Sequence, residues 1–170
     1  MLSCYGDVKG QVGLLGKQIA YSLSPVIFDI SATILKKNCS YRLYDIEKSQ
    51  VGLFLDYFWK NGGLGLNITT PYKRMVASLT SSSFKSVNTI YRSSNGWCSI
   101  STDGPGFFRA LVNSGIELSR LKNIVFVGNG GVVSSLLHDL SGVMSCCHVF
   151  IFRRNREHDQ ELLSFSKKNF

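Results

Sequence analysis

Acidic residues are scarce in this 170-residue chain: 11 Asp and Glu stand against 19 Lys and Arg, a net charge of +8. Such a surface favours anionic partners. No basic helix, RNP motif or zinc finger accompanies the charge, so a nucleic acid is not the expected partner. Histidine occurs only at His138, His148 and His158, away from cysteine or carboxylate clusters at metal-ligand spacing, and no metal site is expected. The five cysteines include no C-x-x-C, and the adjacent Cys146 and Cys147 suit neither one metal nor a local bridge. Reduced thiols and a cytoplasmic location are therefore expected. No apolar run reaches membrane-spanning length, and Met1–Asp7 lacks a basic stretch followed by an apolar one, so neither anchor nor secretory leader is expected. The sequons at Asn38 and Asn67 are then chance matches.

What is present is a core. Hydrophobic residues make up 44% of the chain, enough for one ordinary domain or two small ones. The pattern reads as α/β. Residues 11–16 form an apolar strand. Ser24 and Pro25 suit the cap and first position of a helix over 25–37, with Val26, Ile27, Ile30, Ile34 and Leu35 on its buried face. That leaves Ser22 without a structural task, and two hydroxyls beside a helix start make a carboxylate pocket. A strand over 41–46 precedes a helix capped by Ser49, with Val51, Phe54, Leu55 and Phe58 inward and Gly62-Gly63 ending it. Residues 64–66 read as a buried strand, 80–83 as a loop, and 87–92 with 97–100 as a hairpin turning at Asn95-Gly96. Pro105–Asn113 reads as helix, closed by Gly115.

From Asn123 the pattern changes to strand, Gly128-Asn129-Gly130-Gly131, helix, strand. Val132, Val133, Leu136, Leu137 and Leu140 mark the buried helix face, and Val125, Val127, Val149 and Ile151 the strands. This order opens a dinucleotide-binding unit. Arg153, Arg154 and Arg156 follow the second strand, where an acid would otherwise hold a ribose hydroxyl. Guanidinium forks suit a 2′-phosphate, which favours NADPH over NADH. The stretch Asn67–Lys73 joins a strand to a helix, with Thr70 as cap and Pro71 first. Lys73 falls in the first turn, where the helix dipole disfavours its charge and fits it for proton transfer.

Several of these segments together resemble the shikimate dehydrogenase family. The family's S-x-S is matched by Ser22 and Ser24, and its N-x-T-x-P-x-K by Asn67, Thr69, Pro71 and Lys73. Its A-V-N-T is matched by Ser86–Thr89, and its N-T-D-G by Ser101–Gly104. Its glycine turn is matched by Gly128, Asn129, Gly130 and Gly131, and its N-R-T by Arg153, Arg154 and Asn155. The resemblance implies an N-terminal α/β substrate domain over 1–103, a linking helix and hinge over 104–120, and the first part of a Rossmann-type NADP-binding domain over 121–170, with a cleft between the domains. It implies reversible NADP-dependent reduction of 3-dehydroshikimate to shikimate. Ser22 and Ser24 would hold the carboxylate. Thr69, Asn88 and Asp103 would bind ring hydroxyls, with Asn67 supporting them. Lys73 and Asp103 would form the catalytic pair, within hydrogen-bond reach of each other. The glycine turn and Arg153, Arg154 and Asn155 would hold NADP.

The chain also departs from the family. Lys17-Gln18 stands for Asn-Pro, Tyr21 for the common His, and Lys85 for a glycine. Val132 and Val133 replace small residues, and the family's later Rossmann strands and final helix have no counterpart. A second expectation follows: a truncated, weakly catalytic module that binds shikimate or quinate without its cofactor. The nucleotide half would then be the less stable one, and its exposed Rossmann edge would pair with a second copy.

Overall fold

The computed structural model describes residues 8–37, 39–128, 130–143 and 148–152. They divide into two compact units: residues up to Ser83 with Val87–Ile100, and Phe84–Ser86 with Ser101 onward. No helix among the described residues is long and apolar enough to cross a membrane.

The first unit is built on β1 (Val12–Gly16), β2 (Tyr41–Asp45), β3 (Gly65–Ile68), β4 (Thr89–Ser93) and β5 (Gly96–Ile100), in the spatial order β2-β1-β3-β4-β5. β1 pairs in parallel with both β2 and β3, while β4 and β5 add an antiparallel hairpin. The turn falls at Ser94-Asn95, one residue ahead of the expected Asn95-Gly96, and Gly96, with φ +123°, opens β5. Helices α1 (Ser24–Ile34), α2 (Val51–Lys60) and α3 (Lys73–Leu79) complete the unit.

Side-chain parity places the first two helices on opposite sheet faces. Tyr41 meets Phe28 of α1, whereas Tyr44 meets Phe54 and Phe58 of α2. Residues 41 and 44 are three apart on one strand and point opposite ways. The α2 face is the core: Leu15, Ile46, Val51, Phe54, Phe58, Val76 and Ile90 are fully buried. All four apolar positions expected of α2 are buried, because its inward stripe meets the sheet squarely.

Helix α1 is turned otherwise. Ala32 is its buried residue and Phe28 lies against Tyr41, so positions 28 and 32 face the sheet. Val26, Ile27, Ile30, Ile34 and Leu35, expected inside, are 56–73% exposed. Three helix starts also differ from expectation. Leu23 occupies the cap of α1, with Ser24 its first residue, and no side chain caps it. Ser49 lies in a 3-10 turn over Lys48–Gln50 ahead of α2. The Thr70–Pro71 peptide is cis, and α3 begins only at Lys73, after Tyr72 at the cap.

The second unit holds α4 (Asp103–Asn113), β6 (Asn123–Val127), α5 (Gly131–Val143) and β7 (His148–Phe152). α4 starts two residues before Pro105, so Asp103 stands in its first turn. β6 and β7 pair in parallel, Asn123 with His148 through Val127 with Phe152. Phe108, Leu136, Leu137 and Leu140 form its buried cluster, with Ile124, Phe126, Val149 and Ile151 packed against it. The other strand face is open: Val125, Val127, Phe150 and Phe152 are exposed. Val132 is exposed as well, off the buried stripe of α5.

Phe58 anchors the first unit, with ring contacts to Tyr44, Phe54 and Trp97. Phe58→Ala should cost about 3–5 kcal/mol in urea unfolding of that unit, the range for emptying a large aromatic site. A loss under about 1 kcal/mol would mean that the pocket collapses freely.

Candidate functional site

The loops after β1 and β3 are tied together by backbone. Thr69 donates its N–H to Leu15 O at 3.0 Å, and Lys17 its N–H to Thr70 O at 3.3 Å. These loops leave the carboxyl ends of two adjacent parallel strands, from which the chain runs outward in opposite directions, from β1 to β2 and from β3 to β4. Such a switch point is where open α/β sheets hold ligands. The loop after β1 delivers Ser22 and Ser24, and the loop after β3 delivers Thr69 and Lys73.

At the start of α1 the serine roles are exchanged relative to expectation. Ser22 Oγ accepts the backbone N–H of Ser24 at 3.2 Å, so Ser22 performs the turn-closing task. Ser22 also donates its hydroxyl to Ser24 Oγ at 3.0 Å. Tyr41 donates to Asn67 Oδ1 at 2.8 Å, Asn67 Nδ2 to Thr89 Oγ1 at 3.1 Å, and Thr89 to Asn88 Oδ1 at 3.2 Å. Ser22 and Ser24 thus form one hydrogen-bonded pair, and Asn67 and Asn88 share a separate hydrogen-bonded line. Tyr41 and Thr89, which complete the line of Asn67 and Asn88, were not expected. The signal for Thr89 was its place beside Asn88, and for Tyr41 its place at the head of a strand; neither marks a role without the register.

The line borders a cavity of about 290 Å³ on the α1 face of the sheet, with Phe28, Leu64 and Tyr91 among its apolar walls. Burial raises the Tyr41 hydroxyl to about pKa 12, against a smaller lowering by the nearby Ser24 hydroxyl. The phenol therefore remains neutral at physiological pH and serves as a hydrogen-bonding group.

Lys73 is the first residue of α3, and its carbonyl accepts the Val87 N–H at 3.2 Å, fixing α3 to the segment that carries Asn88. Asp103 belongs to the second unit, in the first turn of α4. Gly128 follows β6 with φ +120°, a conformation side chains rarely adopt, and Gly131 opens the 13-residue helix α5. Among the described residues, a Cβ at Gly128 or Gly130 would meet nothing within 4 Å. A Cβ at Gly131 would stand 2.9 Å from Ser86 Oγ. A flat glycine turn before helix amides fits a dinucleotide pyrophosphate. Asn129, Arg153, Arg154 and Asn155 lie outside the described residues. Among the described residues no group of three or more His, Cys, Asp and Glu could hold a metal ion.

Lys17, where the sequence departs from the family, forms ion pairs with Glu47 at 2.6 Å and Asp45 at 3.4 Å.

The fold and site define a class: an α/β substrate unit followed by the opening of a Rossmann-type fold. The family model for the shikimate dehydrogenase substrate binding domain matches residues 14–90. A shikimate dehydrogenase (NADP(+)) of Buchnera aphidicola is 32% identical over 165 residues, covering 89% of this chain and 56% of that protein. One from Prochlorococcus marinus is 30% identical, covering 94% and 55%. A Thermus thermophilus shikimate 5-dehydrogenase solved with NADP(H) and shikimate aligns with TM-score 0.75 and 23% identity, covering 92% of this chain and 59% of that one. Over most of its length the chain is similar to shikimate dehydrogenases. It spans about half the length of the curated relatives it matches.

The Asp45 carboxyl is desolvated, which raises its pKa, but the Gln18 and Ile19 backbone N–H groups and Lys17 outweigh this and hold it below its ordinary 3.8. A depressed carboxyl stabilises the fold above its unfolded value, and that contribution is lost as pH falls through the lower folded value. Asp45→Asn should therefore lower stability at neutral pH and flatten the acid limb below pH 3.8. Parallel wild-type and variant curves in a pH series of thermal melts would exclude the linkage.

Proposed function

We propose that the protein acts as a shikimate dehydrogenase, reducing 3-dehydroshikimate reversibly to shikimate with NADPH. The observation that supports this reading is that a hydrogen-bonded serine pair, Ser22 and Ser24, and a hydrogen-bonded amide line through Asn67 and Asn88 both belong to the first unit, whose switch point they flank. The hydroxyls suit a carboxylate, and the amides suit ring hydroxyls. The naming of the curated relatives as NADP-dependent dehydrogenases favours an enzyme over a binding module without its cofactor.

In this reading Ser22 and Ser24 bind the substrate carboxylate, Thr69, Asn88 and Asp103 the ring hydroxyls, and Asn67 supports them. Lys73 and Asp103 are the catalytic pair. NADPH supplies the hydride when bound. The carbonyl oxygen then needs a proton, which the Lys73 ammonium gives, and Lys73 takes it back in the reverse direction. Asp103 balances the charge of Lys73. Gly128, Asn129, Gly130 and Gly131 hold the pyrophosphate, and Arg153, Arg154 and Asn155 the adenosine end, the arginines favouring a 2′-phosphate. The substrate domain is residues 1–103, the linking helix and hinge 104–120, and the partial nucleotide domain 121–170.

Reduction of NADP by shikimate, followed at 340 nm, tests the activity. Lys73→Ala should lower kcat by about 10²–10⁴-fold with a smaller change in KM, since proton transfer belongs to the transition state. An unchanged kcat would remove Lys73 from the mechanism. Titration at low salt should show tighter binding of NADPH than of NADH; equal affinities would count against the arginine assignment.

A further inference from the structure

We propose that the outer face of α1 is the docking surface for a second copy of this chain, the two α1 helices pairing antiparallel about a two-fold axis. The proposal goes beyond the dehydrogenase reading and does not depend on it.

Helix α1 carries two apolar stripes. Phe28 and Ala32 face the sheet. Leu23, Val26, Ile27, Ile30 and Ile34 are 56–73% exposed. At 3.6 residues per turn these five fall within an arc of about 100°, roughly 160° round from the Phe28–Ala32 side. A helix that is apolar on both sides is built for cover on both.

The outward stripe has the spacing of a helix–helix seam. Leu23, Ile27, Ile30 and Ile34 follow one another at intervals of 4, 3 and 4 residues. This is the repeat by which the side chains of one helix lock between those of another. The flanking positions are Ser24, Val26, Ser31 and Thr33, and none is charged. Ser31 donates its hydroxyl to Ile27 O and Thr33 to Asp29 O, both at 2.8 Å on their own helix. Both hydroxyls can therefore be covered without losing a partner.

The layers of the first unit point to a second molecule as the cover. The α2 layer, the sheet and α1 already make three layers, the usual limit for one domain. A further segment of the same chain laid on the open part of the α1 face would lie beside α1 and meet its flank. The outward stripe needs a fourth layer. The stripe is also self-complementary. In an antiparallel pair Leu23 stands opposite Ile34 and Ile27 opposite Ile30, and the two-fold axis repeats both contacts. A parallel pair would set the Lys36-Lys37 segments of both copies side by side, whereas the antiparallel pair carries them to opposite ends. Together with Tyr21, 85% exposed just ahead of the helix, the stripe offers on the order of 600 Å² per copy, enough for a stable interface. That is the upper end of what monomers leave open. Ser24 falls roughly 100° round from the centre of the seam, so pairing leaves the serine pair clear.

Sedimentation velocity of the 170-residue protein tests the proposal. At micromolar concentration the wild type should sediment as a dimer, with twice the 18.9 kDa of one chain. Ile30 stands near the axis, so Ile30→Glu puts two carboxylates into one seam. The dimer dissociation constant should rise at least about a hundredfold. Ile30 is exposed in the single chain, so far-UV circular dichroism of the variant should match the wild type. Val127→Glu, on the open face of β6, should leave the dimer intact. Thermal melts give a second readout: the wild-type midpoint should rise with protein concentration, and that of Ile30→Glu should not. A wild-type protein that is monomeric at roughly 100 µM would overturn the proposal. So would a dimer that survives Ile30→Glu, or one that Val127→Glu abolishes while Ile30→Glu does not, which would put the interface on the β6–β7 sheet.

Discussion

The parallel pairing of β1 with a strand on each side is the constraint on which the first unit depends. A strand so placed must fit close to both neighbours and be covered above and below. Gly13 meets the first demand: a Cβ there would stand 2.3 Å from the Arg42 carbonyl oxygen and 2.6 Å from the Tyr44 ring. Leu15, fully buried, meets the second. With β1 fixed, the loops after β1 and β3 emerge side by side, and backbone hydrogen bonds between them hold the switch point closed. The hydroxyls and amides of the candidate site are arranged around that frame.

The two sheet faces are used differently. The α2 face is packed with Tyr44, Phe54, Phe58 and Trp97, and the Arg92 guanidinium lies 3.9 Å from the Trp59 ring centroid. The α1 face carries the polar line and the cavity, and the outer side of α1 stays apolar and exposed. Stability is concentrated on one face and recognition chemistry on the other. A rigid α2 layer behind the sheet holds Tyr41 and Asn67 in register without using their side chains for packing on that side. Lys17 fits this arrangement. At the position where relatives usually carry Asn-Pro, its ion pairs with Asp45 and Glu47 tie the loop after β1 to the end of β2.

The second unit is simpler. One helix pair covers one face of a two-stranded parallel sheet, and the alternate residues of both strands stand open. The apolar runs of β6 and β7 suggested strands covered on both sides. The described residues cover one, and Ile124, Phe126, Val149 and Ile151 lie on that side.

The order of elements was legible in the sequence because it rests on local periodicity. The α2 stripe at Val51, Phe54, Leu55 and Phe58 and the strand–glycine–helix run from Asn123 each fall where spacing placed them, and the hairpin turn lies within one residue of Asn95-Gly96. The residue types at Ser22, Asn67 and Asn88 were legible too, since hydroxyls and amides at loop and strand ends point to an oxygen-rich ligand. Helix starts were less so. A serine or threonine before proline signals a cap, yet Ser24 is already the first residue of α1 and α3 waits until Lys73. The rotation of α1 could not be read either. Its sequence has an apolar stripe, but contact with Tyr41 turns Phe28 and Ala32 inward instead. Tyr41 itself became a site residue only through pairing between strands far apart in sequence. Periodicity reports which side of its own element a residue occupies; the register between elements decides what it meets there, and that is a property of the folded sheet.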